Sequence, residues 1–125
     1  MVKVIMGKRG SGKTKQLADL VNAAVNSEKG YVVCIERSSK LTYDISHKAR
    51  LVATEEYPLQ GYDAFFGFVC GIASQDYDLT DLFIDNLYKN AVDEDAAAAA
   101  EFLDKLAALA EKHNFSAVVT ISRDA

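Results

Sequence analysis

The residues with the clearest chemical potential form the segment GKRGSGKT at positions 7–14. This segment matches G-x-x-x-x-G-K-[ST], a pattern in which backbone N–H groups surround phosphate oxygens at a helix N-terminus. Glycine permits the positive φ and close backbone approach that such a loop needs. Lys13 is predicted to bridge the terminal phosphates and to act in catalysis. The Thr14 hydroxyl is predicted to bind Mg²⁺. The predicted phosphate-binding residues are Gly7, Lys8, Arg9, Gly10, Ser11, Gly12, Lys13, Thr14 and Lys15.

A carboxylate that could complete a magnesium site follows an apolar run later in the chain. Leu82, Phe83 and Ile84 are large apolar residues, and Asp85 comes directly after them. Because Mg²⁺ keeps several waters that must be held in place, a carboxylate at the carboxyl end of another parallel strand suits it. Thr14 and Asp85 are therefore the predicted Mg²⁺ ligands, and ATP with Mg²⁺ is the expected cofactor pair.

Short β-branched runs alternate along the chain with longer segments of helical apolar spacing. This alternation predicts an α/β fold, a three-layer α/β/α domain with a mostly parallel sheet of about five strands. Helices are predicted directly after the glycine-rich segment and at about 63–74 and 93–113, and a surface loop or broken helix at 36–49. The predicted strands are 2–6, 31–35, 51–53, 81–85 and 117–121.

Length and composition indicate one globular domain over residues 1–125. Half of the residues are apolar and 26% are charged, which argues against disorder and against a disulfide scaffold. Cys34 and Cys70 each lie in an apolar run, as thiols do in reducing compartments, so a cytoplasmic protein without a membrane segment is expected. Since the last predicted strand ends close to Ala125, the sequence also suggests a continuation beyond it.

The charges are unevenly distributed along the chain. Residues 1–50 carry ten Lys and Arg against four Asp and Glu, whereas residues 51–125 carry four against fourteen. An anion-binding surface therefore belongs to the first half. A sequence pI near 5.1 argues against a nucleic-acid partner, and the histidines and cysteines have no zinc-type spacing.

With both motifs in place, the sequence resembles the P-loop NTPase superfamily over nearly its whole length, and small bacterial proteins described only as ATP-binding. The segments GYVVCIERSSK and FIDN are similar to the RecA-like division. The resemblance implies that Asp85 is the Walker B acid and Glu36 the catalytic base. It also implies that the first strand is central in the sheet, with the final strand between it and the Asp85 strand.

The resemblance predicts an ATP-binding protein that acts as a weak Mg-dependent ATPase or an ATP-driven switch. Many ATPases of this division have a glutamate directly after the Walker B aspartate, whereas Asn86 stands here, so slow turnover is expected unless Glu36 is the base. ATP is favoured over GTP because the chain has no N-K-x-D element.

Thr120 or Ser122 is a candidate γ-phosphate sensor. The candidate arginine fingers for a neighbouring subunit are Arg37, Arg50 and Arg123.

Two alternative functions stay open at this point. A small-molecule or nucleotide kinase would use the same phosphate loop, although residues 86–92 leave little room for an arginine-rich lid. A non-catalytic module would bind a protein partner when nucleotide orders residues 36–49. Homo-oligomerisation is compatible with each of these functions.

Overall fold

The computed structural model describes residues 1–8, 10–27, 30–75 and 78–122, with only the backbone at 42 and 43. This part of the chain contains five strands, four α-helices and two short 3₁₀ turns, at Lys40–Tyr43 and Thr54–Glu56. In chain order the strands and α-helices are β1 (Val2–Gly7), α1 (Lys13–Ser27), β2 (Tyr31–Glu36), β3 (Arg50–Ala53), α2 (Tyr62–Gln75), β4 (Leu79–Ile84), α3 (Leu87–Ala91), α4 (Ala96–His113) and β5 (Ser116–Ser122).

The five strands form one parallel sheet in the order β1-β5-β4-β2-β3. Parallel strands need a crossover between them, and α1, α2 and α4 supply such connections. The final strand lies between the first strand and the strand before Asp85, as the sequence predicts. The α/β fold with a parallel sheet of five strands is thus confirmed.

Helices cover both faces of the sheet, because side chains along each strand alternate between two apolar clusters. On one face α1 packs Leu17 and Val21 against Val32 and Cys34 of β2. On the other face α2 and α4 pack their buried side chains, including Phe65 and Phe102, against the alternate residues of β2, β4 and β5: Val33, Ile35, Leu82, Ile84, Ala117, Val119 and Ile121. The arrangement has three layers.

The first strand lies at an edge of the sheet, so the prediction that it is central is wrong. Its only strand neighbour among the described residues is β5. Consistent with an edge position, Lys3 and Val4 are exposed and Met6 is 50% exposed. The lysine inside the apolar run was the sequence signal for this, since a strand buried on both faces rarely carries a charge.

One further prediction needs correction, and one short helix was not predicted. Residues 36–49 are not simply a surface segment, because Leu41, Ile45 and Ala49 are buried against α1 and β2. Only a 3₁₀ turn forms there, at Lys40–Tyr43, so their burial comes from contacts with α1 and β2 and not from a regular helix. Residues 87–91, left without a helix in the sequence analysis, form α3, which begins at the N-cap Asn86.

Candidate functional site

The glycine-rich segment joins the carboxyl end of β1 to the amino end of α1. Gly10 and Gly12 have φ of +82° and +86°, in the left-handed region that favours glycine. Ser11 N–H donates to the Lys8 carbonyl at 3.1 Å, which closes a tight turn before the helix. The first backbone N–H groups of a helix have no intrahelical partner, so this turn presents an electropositive end of α1.

Lys13 is folded back against this turn. Its side chain is 7% exposed, and its Nζ donates to the Lys8 carbonyl and, at 3.1 Å, to the Ser11 Oγ. Because these acceptors are neutral oxygens, phosphate oxygens would be stronger partners for the ammonium group. Lys13 therefore stabilises the turn through these hydrogen bonds, and a phosphate group would compete for its Nζ.

Strand register brings three polar side chains to one level at the carboxyl edge of the sheet. Ile35 pairs with Ile84, and Ile84 pairs with Val119. The residues that follow, Glu36, Asp85 and Thr120, therefore lie side by side on neighbouring strands about 4.8 Å apart. Strand alternation puts all three on the face that α1 covers.

The Asp85 carboxylate connects the sheet to α1. Thr120 Oγ1 donates to Asp85 Oδ1 at 3.0 Å, and the Thr14 hydroxyl lies 3.4 Å from both Asp85 carboxylate oxygens. Asn86 N–H in turn donates to Thr120 Oγ1 at 2.8 Å. The two residues predicted to bind Mg²⁺ are thus adjacent, although 71 residues separate them in sequence. A hydroxyl and a carboxylate are oxygen ligands of the kind that Mg²⁺ takes, so these residues fit that ion.

The electrostatic balance at Asp85 has opposing contributions. Burial raises the pKa of the Asp85 carboxyl group above its usual value. The hydrogen bonds from Thr120 and Thr14, followed by the positive charges of Lys89 and Lys13, act in the opposite direction. A bound divalent cation would favour the ionised form further.

Glu36 ends β2 beside Asp85 and is only 4% exposed. Its Oε1 accepts a hydrogen bond from Leu41 N–H at 3.0 Å. Burial raises the pKa of Glu36, the Leu41 N–H counteracts this rise, and the negative charge of Asp85 adds to it. Glu36 does not line the cleft in front of the glycine-rich turn. Its role as a base stays a prediction.

A buried polar network, which the sequence analysis missed, holds the turn that follows Asp85. Asn90 is fully buried and donates from Nδ2 to the carbonyls of Asp85, at 2.7 Å, and Asn86, at 3.0 Å. Thr54 Oγ1 donates to Asn90 Oδ1 at 2.7 Å and lies 3.4 Å from the Glu36 carbonyl. No local motif marks a lone asparagine five residues after the acid. This network ties together the carboxyl ends of β2, β3 and β4.

A cleft of about 380 Å³ opens in front of the glycine-rich turn, and we call it the loop cleft. Its walls come from the turn, the start of α1, and the ends of β4 and β5. The lining residues are Gly10, Gly12, Lys13, Thr14, Asp85, Asn86, Lys89, Thr120 and Ser122. Both candidate sensors, Thr120 and Ser122, line this cleft.

Other predicted residues lie away from it. Lys8 and Lys15 are exposed, and Lys8 contributes its carbonyl to the turn. Arg50 begins β3 at the opposite edge of the sheet from β1 and does not line this cleft, and its role as an arginine finger for a neighbouring subunit stays a prediction. Arg9 and Arg123 lie outside the described residues.

No family model matches this chain, and no characterised protein shows significant similarity to it. Within the described residues, no helix is long and apolar enough to cross a membrane. The same part of the chain has no group of three or more His, Cys, Asp or Glu side chains suited to a metal ion. The predicted Mg²⁺ site has one carboxylate and one hydroxyl, and therefore depends on phosphate and water for its remaining ligands.

Proposed function

We propose that the loop cleft binds ATP with Mg²⁺ and that the protein hydrolyses ATP slowly or uses it as a switch. The observation that carries this proposal is the contact between Thr14 and Asp85 at the mouth of the glycine-rich turn. The turn supplies backbone N–H groups for phosphate oxygens, and Lys13 supplies a positive charge. Mg²⁺, when bound, neutralises phosphate charge. Asp85 and Thr14 would hold it.

The edge position of β1 contradicts the RecA-like sheet that the sequence resemblance implies, but a nucleotide site does not require a central β1. Ligands of parallel sheets bind beyond the carboxyl ends of the strands, and the cleft needs only the adjacent ends of β1, β5 and β4. Glu36 is the proposed base because it lies beside Asp85 and its raised pKa makes its carboxylate a stronger proton acceptor. Since Glu36 does not line the loop cleft, this role requires its carboxylate to reach the attacking water when nucleotide is bound.

Calorimetric titration with MgATP tests the nucleotide assignment. Removing a charged hydrogen-bond partner costs roughly 1.5 to 3 kcal/mol, so Lys13→Ala should weaken ATP affinity about tenfold or more. Lys112→Ala, which removes an exposed charge near the end of α4, should leave affinity unchanged. Equal affinity in the wild type and Lys13→Ala, with both proteins folded, would contradict the proposal.

A phosphate-release assay separates hydrolysis from its alternatives. Slow release without any added acceptor supports the ATPase. Release or transfer that requires a small acceptor supports the kinase. Tight MgATP binding without release supports the nucleotide-gated binding module. Each result presupposes the affinity measured by calorimetry, so the release assay is interpreted only once calorimetry has shown that MgATP binds.

A further inference from the structure

A second cleft, of about 470 Å³, adjoins the loop cleft, and we call it the Arg37 cleft. The two clefts share Asn86, Lys89 and Ser122 in their walls. Arg37 follows directly on Glu36 at the end of β2, and Tyr88 of α3 adds an aromatic ring to the lining. A ligand in this cleft would contact residues that also face the proposed phosphate site.

The guanidinium group of Arg37 is incompletely satisfied. Its Nη1 is buried and has no hydrogen-bond partner among the described residues. Buried polar atoms without partners are uncommon and call for an explanation, because a donor removed from water loses its solvent hydrogen bonds. The planar fork of arginine matches the paired oxygens of a carboxylate or a phosphate. An oxyanion seated in the cleft would supply the acceptor that Nη1 lacks.

Nearby charges restrict which anion fits. Lys89 adds a second positive charge to the cleft, whereas Asp93 and Glu94 line it with negative charge. Neither acid forms an ion pair with Arg37, since the ion pairs within the described ranges involve only Lys105. The two acids would repel an extended polyanion. A small molecule with its acidic group directed towards Arg37 avoids that repulsion.

The backbone around this cleft is also unusual. Asn86 and Val92, which flank α3, have φ of 63° and 55° and both line the cleft. Left-handed backbone is strained for a β-branched residue such as valine. Asn86 is the N-cap and Val92 the C-cap of α3, however, and helix ends commonly adopt this backbone conformation. The inference therefore rests on Arg37 and the shared cleft walls.

From these observations we infer that the Arg37 cleft binds a small molecule carrying a carboxylate or phosphate group beside the nucleotide. This inference extends the proposed function. It rests on that function only for the identity of the ligand in the neighbouring loop cleft. Arg37 holds the oxyanion through its guanidinium fork, with Lys89 adding positive charge. The ligand is therefore the candidate second substrate or effector of the ATP-binding site.

The test is a titration of the nucleotide-free protein with inorganic phosphate and, separately, with malonate, followed by ¹H–¹⁵N spectra. Amide shifts at Arg37, Tyr88 and Val92 report the Arg37 cleft, and shifts at Gly12 and Thr14 report the loop cleft. We expect saturable shifts at the first group with at least one probe. The probe that binds distinguishes a phosphate ligand from a carboxylate ligand.

Arg37→Gln should weaken that binding about tenfold or more, and Arg37→Lys less, since lysine keeps the charge without the fork. Arg50→Gln, at the amino end of the neighbouring strand β3 and outside the cleft, is the matched control and should bind as the wild type does. Absence of saturable shifts in the wild type with both probes, or equal binding by Arg37→Gln, would overturn the inference. The wild-type titration decides even if a variant fails to fold. The titrations contain no nucleotide, so their amide shifts can be interpreted even if the protein does not bind ATP.

Discussion

Burial opposes ionisation of the Asp85 side chain. Its pKa is raised mainly because the carboxyl group is removed from water, and the hydroxyl groups of Thr120 and Thr14 only partly counter this. A carboxylate in such a setting gains more from a nearby cation than one at the surface does, because its solvent screening is reduced. This is the residue-scale reason for expecting magnesium at this position.

Glu36→Gln separates nucleotide binding from turnover. Glutamine keeps the size of the side chain and an oxygen for Leu41 N–H but cannot accept the proton of an attacking water. We expect MgATP affinity to be retained and hydrolysis to fall by about 10² or more. Calorimetry and phosphate release measure the two quantities. An unchanged rate would remove Glu36 as the base and favour the nucleotide-gated binding module.

Asp85→Asn serves as the matched comparison for that variant. Asparagine keeps an oxygen that can accept from Thr120 Oγ1 but loses the negative charge. Affinity and hydrolysis should therefore both depend more steeply on magnesium concentration than they do in the wild type. If the magnesium dependence were the same in both proteins, Asp85 would not hold the ion. The two carboxylates thus have separable signatures.

At the scale of elements, the short helix α3 positions the end of β4. A helix of five residues gains little from its own hydrogen bonds, because nucleation of a helix is costly. Leu87 and Ala91 anchor it in the apolar cluster beneath α2 and α4, and Asn90 anchors it through polar contacts. The backbone that presents Asp85 therefore depends on this helix.

Asn90→Ala is expected to destabilise the protein by about 2 to 4 kcal/mol. The change removes the donor to the Asp85 and Asn86 carbonyls and leaves the buried Thr54 hydroxyl without its acceptor at 2.7 Å. Urea unfolding measures the free energy. Asn26→Ala, at an exposed position in α1, is the control and should change stability by less than about 0.5 kcal/mol. Equal stabilities of the two variants would show that the network contributes nothing measurable.

Elements with a strong local pattern could be predicted from the sequence. The spacing of Leu17 and Val21 fixes the buried face of α1, and the apolar run before Asp85 is the strand β4. The boundaries of α3 and the burial of Leu41 depend on contacts with distant parts of the chain. Local propensity does not report such contacts.

The candidate site was partly predictable for the same reason. Lys13, Thr14 and Asp85 have recognisable local contexts, and the structure brings Thr14 and Asp85 together. Asn90 and the unpartnered Arg37 nitrogen become visible only once β2, β4 and α3 are adjacent. The edge position of β1 had a local signal in Lys3, whereas the order of the strands is a property of the assembled sheet.

The parallel sheet places the carboxyl ends of its strands along one edge of the molecule. Glu36 is buried there, and Asp85 is half-buried. Because burial raises the pKa of each carboxyl group, their ionisation opposes folding near neutral pH. The site therefore lowers the stability of the ligand-free protein, as functional sites often do.

The pH dependence of stability tests this cost at Glu36. Its pKa is raised in the folded state by burial, then by the charges of Asp85 and Glu55, against the Leu41 N–H and Lys40. The Glu36 carboxyl group therefore holds its proton more strongly in the folded state than in the unfolded chain, where the pKa of a glutamate is about 4.3. Stability from this group is present below that pH and is lost as pH rises through the folded pKa.

Glu36→Gln should consequently gain stability relative to the wild type as pH rises from about 4 to about 8. The measured quantity is the difference in unfolding free energy between the two proteins, without nucleotide and with a chelator. Any cost of burying the glutamine amide is independent of pH and shifts the whole curve without changing its slope. Glu56→Gln, at an exposed position of the 3₁₀ turn after β3, should show a nearly flat difference. A flat difference for Glu36→Gln as well would mean that its carboxyl group titrates alike in the folded and unfolded states, so that it would have no advantage as a proton acceptor.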